Sequence, residues 1–256
     1  MSFLFESIVF GPVKSRRLGV SLGMNIVPAH IKFCSFNCIY CECGWTQASE
    51  AETANFYSPE LIREALENRL QSLTAEGIAP DAITFAGNGE PTIHPQFDVI
   101  VDDTIALRDK YFPKARVVVL SNSSTSGNPI VRAALLKTHN IMKLDAGTEE
   151  TFQLINLPRT KISLAQIVEN LKKFNGNLII QIMFIRGTVG NKTIDNTRPA
   201  ELNPLLKYLT EINPTEVMIY SLDRLPPMTQ LEKISKEELE IIAGKIRQLN
   251  YPCTVY

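Results

Sequence analysis

The stretch KFCSFNCIYC at residues 32–41 contains Cys34, Cys38 and Cys41, with the spacing C-x3-C-x2-C. Three thiolates on one short loop can ligate three irons of a [4Fe–4S] cluster, which takes four cysteines when the protein ligates it fully. One iron would then keep an open coordination position, where a substrate or cofactor binds. A structural zinc site is one alternative, but it takes four tetrahedral ligands, and Cys43 is the only further cysteine nearby. A chance grouping of buried cysteines is the other alternative, and the spacing favours the cluster.

The composition indicates a globular chain in a reducing compartment. The 256 residues suffice for one α/β domain of barrel size or two small domains, and 45% hydrophobic with 21% charged residues is typical of globular proteins. The net charge of -1 provides no overall positive field for binding nucleic acid, although a local basic patch stays open. Five cysteines, three of them close together, disfavour a secreted disulfide framework and favour the cytoplasm. We see no signal peptide and no apolar run about 18 residues long, so we expect no membrane association.

Strand patterns and helix patterns alternate along the chain. Short apolar or β-branched runs predict six strands, at residues 20–27, 82–86, 116–120, 141–144, 178–185 and 216–221. Amphipathic patterns predict helices at residues 59–73, 95–110, 128–137, 148–156, 163–175, 199 or 204 to 212, and 235–249. Ser58 and the capping boxes that begin at Ser163 and Ser235 mark three of the helix starts.

These strand–helix units predict an α/β fold with a parallel sheet, because short crossover connections are right-handed. Six units make a partial (β/α)6 TIM-like barrel that is open on one side. We interpret the chain as a single domain, residues 1–256, with an N-terminal arm (1–18), a core (19–250) and a short C-terminal tail (251–256). In parallel α/β barrels the functional site lies at the carboxyl ends of the strands, so residues that follow the strands are the candidates.

The turn after the second predicted strand, residues 87–91, reads GNGEP. Glycines let the backbone come close to a ligand, and a carboxylate accepts a hydrogen bond from an ammonium group. A plain glycine-rich turn is the alternative. His94 follows this turn, either as a substrate contact or as a packing or capping group at a helix start.

Polar side chains also end the next predicted strands. Asn122 follows the third strand and can hydrogen-bond a ribose or a carboxylate, or simply form the loop. Lys143 and Asp145 at the end of the fourth strand point to the same side, either toward a ligand or into a mutual salt bridge at the rim. Gln181 within the fifth strand is a further candidate for a ribose or carboxylate contact.

Four motifs taken together resemble one family. They read FGPVKSRRLG at residues 10–19, KFCSFNCIYC at 32–41, GNGEPT at 87–92 and DRLPP at 223–227. Over about residues 8–228 the chain resembles the radical S-adenosylmethionine (SAM) superfamily, and within it a group of small Fe–S oxidoreductases related to wyosine-type tRNA-modifying synthases. The wyosine synthases carry a second cluster on additional cysteines, whereas only Cys43 and Cys253 remain here outside the loop.

The resemblance implies a fold of the radical SAM type with two cofactors, a [4Fe–4S] cluster on the three loop cysteines and SAM on the fourth iron. It implies an enzyme that cleaves SAM reductively and starts radical chemistry by abstracting hydrogen from an unidentified substrate. It also implies a reducing partner of the flavodoxin or ferredoxin type. The residues expected to bind SAM are Tyr40, Gly87, Asn88, Gly89, Glu90, Asn122, Lys143, Asp145, Gln181, Ser221 and Leu222.

The substrate class stays open among a small molecule, a peptide and tRNA. Lys14, Arg16, Arg17 and His94 are the candidate substrate residues, since the three cations suit a phosphate or another anion. A solvated or ion-paired arm is an equally good interpretation of those cations. Two other functions also stay open, a non-catalytic Fe–S electron relay and a protein that binds or modifies tRNA.

Overall fold

Two sheets organise the residues that the computed structural model describes, which are 4–47, 54–223, 226 and 228–256. Their strands are β1 (Val9–Ser15), β2 (Gly19–Met24), β3 (Ala82–Phe85), β4 (Arg116–Ser121), β5 (His139–Lys143), β6 (Ile179–Met183), β7 (Ile185–Val189), β8 (Lys192–Asp195), β9 (Glu216–Tyr220), β10 (Leu231–Lys233) and β11 (Cys253–Val255). The larger sheet has the order β1-β2-β3-β4-β5-β6-β9-β11, and the smaller one has the order β10-β7-β8.

The central part of the larger sheet is parallel. Strands β2, β3, β4, β5, β6 and β9 pair in chain order and in one direction. They form because apolar and β-branched residues dominate them, and β3 and β6 are buried along their whole length. The predicted α/β class and partial (β/α)6 barrel are therefore confirmed.

Helices connect the parallel strands, as the periodicity predicts. They are α1 (Pro59–Glu76), α2 (Phe97–Tyr111), α3 (Pro129–Leu135), α4 (Glu149–Asn156), α5 (Leu164–Lys172), α6 (Pro199–Ile212) and α7 (Lys236–Arg247). The Ser58 side chain caps α1, and both predicted capping boxes are present, at the starts of α5 and α7. Helix α6 begins at Pro199, so the second proline, Pro204, lies inside the helix.

The amino ends of the strands close one end of the barrel interior. An apolar layer is formed there by side chains that come from successive strands and from the turn before β2. We call it the amino-end layer, and its members are Leu18, Ala82, Val118, Ile141, Ile179 and Met218. All six are at least 96% buried, with Ala82 and Val118 fully so. Because this end is filled, space for a ligand is left at the carboxyl ends.

The structure adds strands that the sequence patterns do not predict. Strand β1 lies in the predicted N-terminal arm and pairs antiparallel with β2, and β11 in the predicted tail pairs parallel with β9. The single strand predicted at residues 178–185 is wrong, because the pairing changes at Phe184. The Ile185 amide donates to the Asn196 side chain at 2.8 Å, and the chain then enters the small antiparallel sheet.

In the part of the chain described above, no helix combines the length and the apolar character needed to cross a membrane.

Candidate active site

A cavity of about 240 Å³ lies among the residues that follow the carboxyl ends of the parallel strands. We call it the central cavity. The cysteine loop, the glycine turn after β3, the ends of the later strands and the β1–β2 turn all contribute to its wall. Its lining residues are Arg17, Lys32, Cys34, Cys38, Tyr40, Cys41, Cys43, Ala86, Gly87, Gly89, Glu90, Leu120, Ser121, Asn122, Lys143, Gln181 and Tyr220. The cavity therefore brings together most of the residues that the sequence singles out.

The thiols of Cys34, Cys38 and Cys41 all line the central cavity. Side-chain amides support two of them: Asn122 Nδ2 donates to Cys34 Sγ at 3.4 Å, and Asn156 Nδ2 donates to Cys38 Sγ at 3.5 Å. Among the described residues, no three His, Cys, Asp or Glu side chains are grouped to hold a single metal ion. A zinc site would need such a group around one ion, whereas the cysteines around a cluster each bind a different iron.

The cavity thiols differ in how readily they ionise. Burial, together with the Glu90 carboxylate, raises the pKa of the Cys34 thiol to about 12. A hydrogen bond from Cys43, with the Lys32 ammonium nearby, lowers the pKa of Cys41 to about 6 against the opposing effect of burial. Lys32 is itself buried and donates to the Gly44 carbonyl at 2.8 Å. Because thiolate is the form that ligates a metal, iron binding at this site would displace protons.

The glycine turn is joined to the cysteine loop by backbone hydrogen bonds. The Phe33 amide donates to the Asn88 carbonyl at 2.8 Å, and the Glu90 amide donates to the Phe33 carbonyl at 3.1 Å. A Cβ atom on Gly89 would overlap the Phe33 carbonyl oxygen, and one on Gly87, at φ +138°, would lie 2.6 Å from Asn25 Oδ1. Gly89 therefore permits a close approach of two protein backbones, and its expected approach to a ligand stays a prediction.

Glu90 is buried in the wall of the central cavity and links the glycine turn to the end of β4. One carboxylate oxygen accepts from the amide and hydroxyl of Thr92, and the other accepts from the Asn122 amide at 2.6 Å. Burial raises the pKa of this carboxyl group above its ordinary value. Glu90 thus holds Asn122 in place against the cavity, while a contact to SAM stays a prediction.

Lys143 and Asp145 form a buried pair beside two tyrosines. The Lys143 ammonium lies 3.8 Å from the Asp145 carboxylate and donates to the Tyr220 hydroxyl at 2.9 Å. Burial alone would lower the pKa of Lys143, but Asp145 and Tyr220 outweigh it and raise that pKa. Since both side chains are at least 83% buried, a salt bridge at the rim is not what the structure has.

Asp145 lies outside the lining of the central cavity, and its oxygens are taken by the protein. It accepts hydrogen bonds from the Tyr40 hydroxyl, from Asn156 Nδ2 at 2.9 Å and from the Met183 amide at 2.9 Å. Asp145 orients Tyr40 and compensates Lys143, which both line the cavity, and the expected ribose contact stays a prediction.

Gln181 carries an amide group without a partner. Its side chain is 4% exposed, and Nε2 makes no hydrogen bond among the described residues. A buried donor left unpaired costs about 1–3 kcal/mol, so such a group in a cavity wall suits a ligand oxygen. This observation fits the prediction that Gln181 contacts a ribose or carboxylate.

Three further predicted SAM contacts lie away from the central cavity. Asn88 Nδ2 donates to the carbonyls of Ala29 at 2.7 Å and Phe5 at 2.8 Å, so its amide holds the N-terminal segment. Ser221 Oγ donates to the Phe184 carbonyl at 2.7 Å and accepts from a backbone amide of the following loop. Leu222 is buried in the apolar core. Protein groups occupy the side-chain polar atoms of Asn88 and Ser221, and a contact of these three residues to SAM stays a prediction.

The candidate substrate residues differ in whether they line the central cavity. His94 does not line the central cavity: its Nε2 pairs with the Tyr57 carbonyl at 2.9 Å and its Nδ1 accepts from the Gln96 amide at 3.1 Å. The side chain is buried, as expected for the packing alternative.

Of the three cations in the arm, one faces the central cavity. Lys14 is exposed on β1, and Arg16 forms an exposed ion pair with Asp223 at 3.0 Å. Arg17 lines the cavity. Arg224, which follows Asp223 in the DRLPP motif, lies outside the described residues. The alternative of an ion-paired arm therefore describes Arg16, and not Arg17.

Sequence reasoning missed Lys32, Asn156 and the cavity position of Cys43. A lysine two residues before the first loop cysteine, and a second cysteine two residues after the third, are visible signals beside the motif. Asn156 gives no such signal, because only the packing of α4 brings it to Cys38.

Comparisons with known proteins agree with this geometry. The family model of the radical SAM superfamily matches residues 29–197. A UPF0026 protein of Methanocaldococcus jannaschii is 34% identical over 238 residues, which cover 91% of this chain and 68% of that protein. A Helicobacter pylori UPF0026 protein is 32% identical, with 71% of its length covered. A Brachyspira hyodysenteriae protein described as GTPase Obg is 31% identical, and the chain spans 32% of that protein's length.

Solved structures of low sequence identity share the fold. A radical SAM methyltransferase from Sphaerobacter thermophilus has a TM-score of 0.65 at 12% identity, over 92% of this chain and 66% of that one. Streptococcus suis SuiB bound to S-adenosylmethionine has a TM-score of 0.62 at 13% identity, over 88% of this chain and 48% of that one. Archaeal TYW1 has a TM-score of 0.55 at 13% identity, over 89% and 71% of the two chains.

Proposed function

The chain belongs to the radical SAM superfamily and to the UPF0026 family, and from this membership we propose that it cleaves SAM reductively to abstract hydrogen from a substrate. The superfamily uses a [4Fe–4S] cluster and SAM, which together supply the one-electron chemistry when bound. The protein's own part is to bind both cofactors, to orient them and to exclude water. The reaction that follows, and its substrate, belong to the proposal and are not fixed by family membership.

Cys34, Cys38 and Cys41 would hold the cluster. Their side chains line one cavity, and the hydrogen bond from Asn156 favours the thiolate form of Cys38 against the larger opposing effect of burial. Such hydrogen bonds also help to set the reduction potential of a bound cluster. Lys32 supports the same charge state, because its ammonium lowers the pKa of Cys41.

Lys143, Gln181 and Asn122 would hold SAM. Lys143 offers a cation and Gln181 an unpaired amide donor to the carboxylate or ribose of SAM, and both lie in the cavity wall. Asn122 is fixed by the Glu90 carboxylate through its backbone amide. Tyr40 is held by Asp145 and offers an aromatic surface to an adenine ring.

One observation carries the proposal: three thiols and an unpaired buried amide meet in a single cavity at the carboxyl ends of the strands. A non-catalytic electron relay needs the thiols, but it has no use for an amide donor aimed at a ligand. The cavity therefore favours an enzyme over a relay.

Anaerobic reconstitution with iron and sulfide, followed by dithionite and SAM, tests the proposal. We expect bound iron and sulfide near four each per chain and the release of 5′-deoxyadenosine, detected by mass spectrometry. An intact cluster that releases no 5′-deoxyadenosine would contradict the proposal and favour the relay. Repeating the assay with a flavodoxin or ferredoxin and its reductase tests the proposed electron donor.

A further inference from the structure

The turn between β1 and β2 reaches across the open side of the barrel. Arg16 in this turn pairs with Asp223, which follows β9, at 3.0 Å. The guanidinium carbon of Arg17 lies 4.9 Å from the centre of the Tyr220 ring, at the end of β9. Two adjacent arginines thus connect the first and the last parallel strands of the barrel, and only the second one faces the central cavity.

Arg17 differs from the other cations of the cavity in its hydrogen bonds to the described residues. In the described part of the chain its Nη1 atom is buried without a hydrogen bond, and the guanidinium forms no ion pair. Lys143, by contrast, has Tyr220 and Asp145, and Lys32 has the Gly44 carbonyl. Keeping a guanidinium donor buried and unpaired is unfavourable, so its presence in a cavity wall indicates a partner from outside the protein.

The position of the guanidinium over the Tyr220 ring restrains it beside the cavity. A guanidinium that lies on an aromatic face keeps the N–H groups at its edge free for hydrogen bonds in its own plane. The ring is fixed in turn, because the Tyr220 hydroxyl accepts from Lys143, which is paired with Asp145. A rigid planar fork of this kind matches the two oxygens of a carboxylate or a phosphate.

We infer that Arg17 recognises a carboxylate or phosphate group of the substrate at the open side of the barrel, and this inference rests on the proposed function. Lys143 and Gln181 supply the donors that SAM requires, which leaves Arg17 for the second molecule in the cavity. The substrate class is therefore an organic anion rather than a neutral metabolite.

Equilibrium binding of small probes to the reconstituted, SAM-loaded protein tests this inference. Methyl phosphate and acetate are titrated separately, with acetamide as the neutral control, and binding is followed by ligand-observed NMR. We expect the wild type to bind methyl phosphate or acetate, and the tighter of the two identifies the anionic group. Charge-assisted hydrogen bonds are worth about 1.5–3 kcal/mol, so Arg17→Gln is expected to weaken that binding roughly 10-fold or more.

Arg16→Gln is the matched control, because Arg16 lies in the same turn but points to Asp223 and solvent. We expect it to keep the wild-type affinity for the probe. If Arg17→Gln does not fold, Arg17→Lys decides: it keeps the charge but loses the planar fork, so we expect weaker binding of the probe.

Several outcomes would overturn the inference. In the first, the wild type binds neither anion more tightly than acetamide. In the second, an Arg17 variant keeps its affinity for the probe. In the third, Arg17→Gln loses SAM binding instead. Release of 5′-deoxyadenosine by the wild type is measured on the same preparation. Its absence counts against the proposed function, whereas its presence without anion binding counts against Arg17 alone.

Discussion

At the amino ends of the strands the barrel interior is filled with apolar side chains. At the carboxyl ends it holds thiols, cations and an amide that has no hydrogen-bond partner among the described residues. The same strands supply both ends: β5 contributes Ile141 to the amino-end layer and Lys143 to the central cavity. Two residues along one strand thus separate a group that stabilises the fold from a group suited to bind a ligand. The comparison teaches that stability and binding can be tested separately in this molecule.

Removing a thiol from the cavity is expected to have the largest effect. Cys38→Ser deletes one of the three proposed cluster ligands, so we expect the reconstituted protein to lose most of its iron and sulfide and to release 5′-deoxyadenosine only at background level. Iron and sulfide analysis with mass spectrometry of the nucleoside measures both. Cys253→Ser is the control, because Cys253 is buried in β11, away from the cavity. Full activity in Cys38→Ser would contradict the ligand-binding role assigned to the carboxyl ends of the strands.

A substitution that creates a void in the amino-end layer is expected to lower stability without changing SAM binding. Ile141 is 1% exposed, and Ile141→Ala is expected to lower the free energy of unfolding by about 2–5 kcal/mol. The affinity for SAM is expected to stay unchanged at temperatures where the variant is folded. Urea unfolding and SAM titration give the two quantities. Ile241→Ala, at a side chain that is 64% exposed on α7, serves as control and should change stability by no more than about 0.5 kcal/mol.

The opposite pattern is expected at the carboxyl ends. Gln181→Met removes the unpaired donor while nearly keeping the volume, so the free energy of unfolding should stay constant or rise by about 1 kcal/mol. The same change should weaken SAM binding roughly 10-fold, because one hydrogen bond to the ligand is lost. Titration of SAM against the reconstituted protein measures this. A large loss of stability with intact SAM affinity would show that Gln181 belongs with the structural residues. The control is Gln153→Met, on the exposed face of α4.

The smallest expected effect is a dependence of stability on pH that comes from His94. Burial lowers its pKa against the opposing effect of the hydrogen bond to the Tyr57 carbonyl, and Nδ1 accepts from the Gln96 amide, which requires the neutral ring. The unfolded state therefore binds more protons, and stability should fall as pH drops below the unfolded value of about 6.5. The loss is bounded by about 1.4 kcal/mol for each pH unit between the folded and unfolded pKa values.

Urea unfolding at several pH values, with His94→Gln beside the wild type, checks this dependence on pH. The variant is expected to show a flatter pH profile, because the titrating ring is gone. Burial also lowers the pKa of His139, so part of the slope should remain in the variant. An unchanged slope in His94→Gln would mean that the buried ring does not control acid stability.

Local patterns predict the strand–helix units and the cysteine loop because their signals lie within a few residues. The direction of a polar side chain at a strand end is not local. Asn88, Asp145 and Ser221 follow strands as the proposed ligand contacts do, but partners distant in sequence take up their polar atoms. Short antiparallel strands such as β7 and β8 are likewise defined by their pairing, since a few residues carry too little periodicity.

The pairing of Gly89 with Phe33 has a consequence for how tolerant the site is to change. Phe33 is the chain neighbour of Cys34, so even a methyl group added at position 89 would displace the backbone that carries a proposed iron ligand. Metal loading is therefore expected to depend also on a residue that has no side chain, and even its replacement by alanine is expected to reduce that loading.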